Sequence, residues 1–401
     1  MKRSIMRTAA SYFGLLCIIF IPFPFNITKA QLYCTDLVFG KLIRFIAVTF
    51  FSQPLTDTKV YSDTVSMYIL MLLLLVIAAC LALVISRIKS WPTYSEKASR
   101  IIHQIFMYYL ALQLLKYGTD KIFKNQFYLP EPNILFTPVG MLDKDILYWS
   151  TMGTSYGYNI FLGSLEILAA VLILIKRTRT AGLLLSLGVL INVVAINFSF
   201  DISVKLFSLF LLFLNLYLLS AFWKRLYLFF LKNNATIPPA AHTALFRKTF
   251  TTSFLQWLAV GLIAVEVFYP VIRSGHFNGD NAAKPYLHGA YEVINGKDSF
   301  PLTGSTVKRF FIHRDSYIIF QDRYDVMKDY KLAADTVHSK FILVDYDMKQ
   351  TLLSYTYKKE DSILSLNYAD DGKDVLLEGK AIDWKKNPAL QNSFHWTVDG
   401  K

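Results

Sequence analysis

Residues 161–175 read FLGSLEILAAVLILI, a run that is apolar or small throughout except for one carboxylate, Glu166. Such a run suits a helix lying in hydrocarbon, where an ionisable group costs several kcal/mol unless it meets a partner or a wet cavity. It therefore points to a membrane class and marks the first place to look for a site.

Six more stretches have the same character, and with 158–175 they give seven candidates: 12–27, 65–85, 101–117, 158–175, 181–197, 203–223 and 254–271. Each approaches the ~20 residues needed to cross a ~30 Å apolar core. The first is short, is broken by Pro22 and Pro24, and opens with Lys2, Arg3 and Arg7, features shared with a secretory signal. No convincing small-x-small cleavage site follows, which favours a retained helix. Residues 37–51, with Lys41 and Arg44 among apolar neighbours, suggest an additional helix lying in the interface.

Composition agrees. The 401 residues are 54% hydrophobic and only 18% charged, and the mean hydropathy is +0.37. A soluble globule of this size is less apolar. With the N-terminus inside, the inner segments hold 15 Lys and Arg and the outer ones before residue 272 hold 9. That bias obeys the positive-inside rule and leaves the C-terminus outside. From Val271 onward 18 basic residues balance 18 acidic ones, so the net charge of +13 belongs to the membrane part. The basicity is then a topology signature and gives no support to nucleic-acid binding.

Cys17, Cys34 and Cys80 form no C-x-x-C pair. A disulfide framework or a self-contained thiol oxidoreductase is not indicated. His313, His338 and His395 lack ligand spacing, so no metal site is expected.

Beyond residue 272 the pattern changes to short alternating runs, at 290–294, 307–312, 317–321, 340–346, 351–357, 362–367 and 375–377. Asn295-Gly296 and Asp371-Gly372 are favoured hairpin dipeptides. Seven or eight short strands predict an antiparallel all-β barrel or sandwich, filled by its own side chains. Trp384, Phe394 and Trp396 read as residues closing that core. The stretch 275–285 reads as a tether. The expected order is N-terminal helices in 1–100, a four-helix core in 101–222, a linker and last span in 223–271, and an extracytoplasmic β domain in 272–401.

The polar residues of the apolar part are the candidate site: Glu166, Lys205, Asp201, Asn197, Lys121 and Asn192. Lys205 and Lys121, with Lys116, are the cations at suitable depth to pair with Glu166. Asp201, four residues before Lys205, serves equally well as an N-cap of the sixth span. Lys116 and Asp120, and Asp120 and Lys124, stand at pairing distance on a helix, and Lys124 also suits an interfacial anchor. The loop 128–141, with Pro130, Pro132 and Pro138, reads as a stiff outer connection.

The order of these residues resembles the DoxX family of bacterial membrane proteins. The matching positions are Tyr117-Gly118, Lys121, Gln126-Phe127, Trp149, Met152-Gly153, Ser155, Phe161, Gly163, Glu166, Arg177-Thr178, Asn197, Phe200-Asp201, Val204-Lys205-Leu206 and Ser208. Phe200 and Ser203 stand where the family pattern has Tyr and Pro. The resemblance covers residues 101–222. It implies a four-helix membrane core, a bacterial cytoplasmic (inner) membrane location, and an association with quinone-linked oxidation or envelope homeostasis. Two functions follow as expectations. One is a redox accessory that binds a quinone or lipid at the buried polar site. The other is a non-catalytic transport or envelope-integrity protein presenting its β domain to an extracytoplasmic protein partner. An enzyme using Glu166 as base lacks a nucleophile or metal in the sequence.

Overall fold

A computed structural model describes residues 2–22, 28–54, 58–88, 91–233, 250–296, 299–370, 373–391 and 395–397. Pro24, Asp371-Gly372 and Phe394, singled out above, lie outside them. The chain divides into two compact units: residues 1–123 with 157–277, and residues 124–156 with 278–401.

The first unit is helical. Its elements are α1 (Lys2–Phe20), α2 (Thr28–Thr35), a π turn Asp36–Gly40 continuing into α3 (Lys41–Phe51), α4 (Val65–Ser86), α5 (Trp91–Ile122), α8 (Tyr156–Leu174), α9 (Arg179–Ser199), α10 (Lys205–Leu219), α11 (Trp223–Lys232) and α12 (Phe250–Ser274). The α8–α9 hairpin shows how local chemistry sets these boundaries. Thr178 Oγ1 and Arg179 Nε donate to the carbonyls of Leu172 and Ile173 at 3.0 Å each, satisfying the open end of α8. The packed core runs from Cys17 and Ile21 through Leu70, Leu74, Phe106 and Leu110 to Ile173, Leu183, Leu214 and Leu218. Across it Asn215 donates to the Leu183 carbonyl at 3.2 Å and to Ser186 Oγ, so a buried amide clamps α9 to α10.

Four described helices are long and apolar enough to cross a bilayer, with a fifth if α10 and α11, bent by 80° across residues 220–222, form one span. Seven were expected. The apolar part of α1, Ile5–Phe20, is shorter, and α5 carries Lys116, Asp120 and Lys121 in its last two turns. The expected interfacial stretch 37–51 is helical, as the π turn and α3, and ends at Ser52 with φ 52°.

The second unit is a closed antiparallel barrel of β1 (Gly289–Asn295), β2 (Val307–His313), β3 (Tyr317–Asp322), β4 (Met327–Asp335), β5 (Lys340–Val344), β6 (Gln350–Lys358), β7 (Ile363–Asp370) and β8 (Lys373–Ile382), each strand pairing with the next and β8 with β1. Closure leaves no edge strand. The barrel alternative is thus the observed one. Its interior is filled by stacked rings, including Tyr291 on Phe310 at 5.0 Å and Phe341 on Tyr355 at 4.2 Å. A side chain at Gly379 would meet the Phe310 ring, so glycine makes room for that packing.

Strand β4 was missed in the sequence because Lys328, Asp329 and Lys331 dominate it, while only Tyr330 and Leu332 turn inward. Trp384 closes the core as expected, but Trp396 is 91% exposed.

The largest departure concerns residues 124–156, assigned from sequence to the helical core. They include α6 (Pro132–Leu135) and α7 (Lys144–Thr154) and pack on the barrel. Phe136 stacks on Phe311 at 5.9 Å, and its carbonyl accepts from Gln321 Nε2 at 2.9 Å. The expected tether is also tied down. Gly279–Asn281 is a 3-10 turn whose Asp280 accepts from Leu129 N at 2.7 Å and pairs with Lys124 at 2.5 Å.

Candidate functional site

Helices α5 and α8 approach backbone to backbone at two glycines. A Cβ on Gly118 would lie 2.7 Å from the Gly163 carbonyl, and one on Gly163 would strike the Gly118 carbonyl. Small residues at such a crossing let helices pack closely where lipid supplies no hydrophobic drive. One turn further along each helix stand Lys121 and Glu166, so the two contacts share one face of each helix. Lys121 Nζ donates to Glu166 Oε1 at 2.9 Å and to Oε2 at 2.8 Å. The two residues are 7% and 4% exposed. This is a charge-assisted bond to both carboxylate oxygens, and its strength depends on the exclusion of water. The ammonium also lies 5.6 Å from the centre of the Tyr117 ring.

The other candidates are placed differently. Lys205 pairs with Asp201 at 2.7 Å and with Asp63 at 4.0 Å, rather than with Glu166. Asp63 is the cap of α10: its two oxygens accept from the backbone N–H groups of Lys205 and Leu206 at 2.8 and 3.0 Å. Asp201, read as cap or site, is neither an acceptor for those N–H groups nor buried; it stands in the left-handed region at φ 53°. Asn197 is buried and pins the α9–α10 turn, its carbonyl accepting from Ile202 N at 2.9 Å. Asn192 is exposed. The physical reason is helical phase: five residues advance about 500°, which puts two asparagines that far apart on different faces. Lys124, read as an interfacial anchor, is buried instead. Its φ of 52° turns it out of the helix onto Asp280 and the Gly153 carbonyl.

Sequence reasoning passed over four groups. Asp63 was hidden beside Thr64, the cap of α4. Asn215 and Glu266 carry the signal that exposed Glu166, one polar residue in an apolar run, and were findable; Asn215 is fully buried and Glu266 half-buried.

The fourth, Glu131, belongs to the barrel unit and is 4% exposed. It pairs with His288 Nε2 at 2.6 Å and accepts from Arg314 N at 3.2 Å, with the Arg314 guanidinium 3.7 Å away. Burial acts to raise this carboxyl, but the hydrogen bond and charge of His288, with His313 and the Arg314 N–H, outweigh it and hold it below the ordinary carboxylate value. Burial lowers the neighbouring His313 imidazole. Arg314 completes the cluster by donating to the Gly279 carbonyl at 2.6 Å and lying over the Tyr128 ring at 4.0 Å. No group of three or more His, Cys, Asp or Glu able to hold a metal ion occurs among the described residues.

No protein-family model matches the sequence, and no solved structure does. Over 114 residues the chain is 36% identical to "Uncharacterized protein YwoB" of Bacillus subtilis (strain 168), a match that covers 28% of this chain and 72% of that protein.

Proposed function

Because this chain belongs to the same family as the uncharacterised YwoB of Bacillus subtilis, whose description names no activity, function must be argued from the site, and we propose a membrane-embedded accessory that binds the polar end of a quinone or lipid at the Lys121–Glu166 pair. The protein would lie in a bacterial cytoplasmic membrane with its N-terminus inside and its barrel outside, as the distribution of Lys and Arg favours. The large exposed apolar side chains along α4, α8 and α12, among them Leu72, Val76, Phe161, Leu262 and Val265, are the surface that lipid would cover.

One observation carries the reading. A lysine in the last turn of α5 and a glutamate within the apolar α8 sit opposite each other, at a glycine crossing that nothing but close approach requires. An intramembrane ion pair is costly to keep, and a hydrophobic pair of similar volume would hold the helices as well. A polar ligand that exchanges hydrogen bonds with the pair gives the charges a purpose. The DoxX-like order of residues through 101–222 suggests a redox association on the same grounds.

The test is purification of the full chain in detergent and extraction of its lipids for quinone and lipid analysis. A stoichiometric quinone or lipid that is lost on Glu166→Gln supports the reading. A clean apo protein, or retention of the molecule by a folded Glu166→Gln variant, overturns it.

A second reading is favoured by the filled barrel. A barrel packed with Phe310, Phe320, Phe341 and Leu353 offers its exterior rather than a cavity, which suits a transport or envelope-integrity protein presenting that domain to an extracytoplasmic partner. Crosslinking in intact cells, with and without the barrel's exposed turn residues Tyr346 and Met348, would capture such a partner.

A further inference from the structure

Within the helical unit a cavity of about 330 Å³ lies between the N-terminal halves of α4 and α10 and the α5 residue Tyr117. Met67, Met71, Leu206 and Phe207, with Ile21 after α1 and Leu32 of α2, give it largely apolar walls. Thr28, Tyr61, Ser62, Asp63 and Tyr117 are its polar lining residues. The volume falls at the lower end of the ~300–1,000 Å³ range of small-molecule sites. It has room for one ring or one chain segment, and none for a two-chain lipid. Methionine walls adapt to irregular apolar shapes.

The charges around it are already matched. Both Asp63 oxygens accept backbone N–H groups at the start of α10, and Lys205 Nζ lies 4.0 Å away. Lys205 itself is held by Asp201. A ligand with a net charge would find no uncompensated counter-charge there, and burying it would cost several kcal/mol. What the wall offers is neutral hydroxyl groups, those of Thr28, Tyr61, Ser62 and Tyr117. Of these Tyr117 lies deepest in the helix bundle, on a ring that packs against Phe207 at 6.0 Å and stands beside Lys121. The cavity is thereby joined, through one side chain, to the Lys121–Glu166 pair.

The geometry points to this cavity as the seat of a neutral amphiphile: one ring or single chain whose carbonyl or hydroxyl oxygen accepts a hydrogen bond from Tyr117, its apolar remainder lying against Met67, Met71 and Phe207. This rests on the reading that the pair binds a polar group, and narrows it from any headgroup to an uncharged one. A quinone and a single-chain neutral lipid share that chemistry.

The experiment uses the full chain in phosphatidylcholine nanodiscs and saturation binding of two radiolabelled probes, a decyl-substituted benzoquinone and a medium-chain monoacylglycerol. Decyl sulfate and decyltrimethylammonium serve as charged competitors. One neutral probe should saturate at one per chain, and which of the two binds tighter identifies the source. Met67→Trp, which fills the space, should weaken it at least tenfold, and the isosteric Tyr117→Phe three- to tenfold. Neither charged competitor should displace it. Should Met67→Trp fail to fold, Met71→Trp fills the same volume, and Tyr117→Phe keeps the question decidable. The inference is overturned if no neutral probe saturates, if the charged competitors displace it equally, or if the substituted proteins bind unchanged. Glu166→Gln separates the two proposals. Binding that survives Glu166→Gln but is lost in Met67→Trp retains the cavity and sinks the role of the pair; the reverse retains the pair and sinks the cavity.

Discussion

Glu166 and Glu131 are both 4% exposed and both held by basic groups, one in each unit of the molecule. Their surroundings differ. Glu166 stands on a regular helix and meets a single lysine from a neighbouring helix, at a crossing set by two glycines. Glu131 is the N-cap residue of α6 in a proline-rich segment, but its side chain makes no cap bond. The imidazole of His288, 157 residues away, and the backbone of Arg314, 183 away, converge on it instead. In an apolar run one charge is conspicuous, because nothing else explains its presence. In a polar loop the same charge is camouflaged, because the expected place for a loop carboxylate is water.

The sharpest test of the comparison is to break each lock. Glu166→Ala or Lys121→Met should each cost about 3–5 kcal/mol in unfolding measured in detergent, since each strands a buried charge. The double variant Lys121→Met with Glu166→Leu should recover most of that loss, because it removes both charges together. Single variants that melt within about 1 kcal/mol of the wild type would mean that water reaches the pair and that it is no lock.

Glu131→Ala should cost about 1–3 kcal/mol, because it leaves the His288 imidazole and the Arg314 N–H without their buried acceptor. Its signature is the pH dependence. A carboxyl held below its ordinary value stabilises the fold fully above the unfolded-state pKa of about 4.3, and that contribution is lost as pH falls through the folded-state value. Acid unfolding of the barrel, followed by Trp384 fluorescence, should therefore flatten below about pH 4.5 in Glu131→Gln. An unchanged acid limb would assign that sensitivity to other carboxylates.

Asp63→Ala removes a cap with two backbone partners and should lower stability by about 1 kcal/mol, within the 0.5–2 kcal/mol range of such caps. Asp201→Ala should do less, since Asp201 is exposed and its pairing with Lys205 is screened by water. Equal losses would return the cap to Asp201.

These contrasts also say what was legible in the sequence and why. Apolar period and length were enough for α4, α8, α9 and α12, and alternation was enough for most strands of the barrel, whereas Asn295-Gly296 opens a longer connection to β2 and not a tight hairpin turn. The DoxX-like order brought Lys121 and Glu166 onto one list of candidates, and the structure joins them. What the sequence hid was long-range: that 124–156 packs on β2 and β3, that Asp280 anchors Leu129 and Lys124, and that Asp63 caps a helix 142 residues later. Each depends on a hydrogen bond between short polar segments, for which no periodicity exists.

The smallest effect tests phase directly. Asn192 and Asn197 lie on one helix in apolar company and both stood among the candidate site residues, yet only Asn197 is buried. If α9 is a regular helix with Asn192 on its outer side, Asn192→Leu removes an exposed amide from a surface that lipid would cover, and stability should stay within about 0.5 kcal/mol of the wild type or rise slightly. Asn215→Leu is the control. It deletes the donor held by Ser186 and the Leu183 carbonyl in the core, so the same chemical change should lower the melting temperature clearly. A loss at Asn192 as large as that at Asn215 would require a polar partner on the outer face of α9, and the inward-facing pair would no longer be the place where this half of the molecule concentrates its polar chemistry.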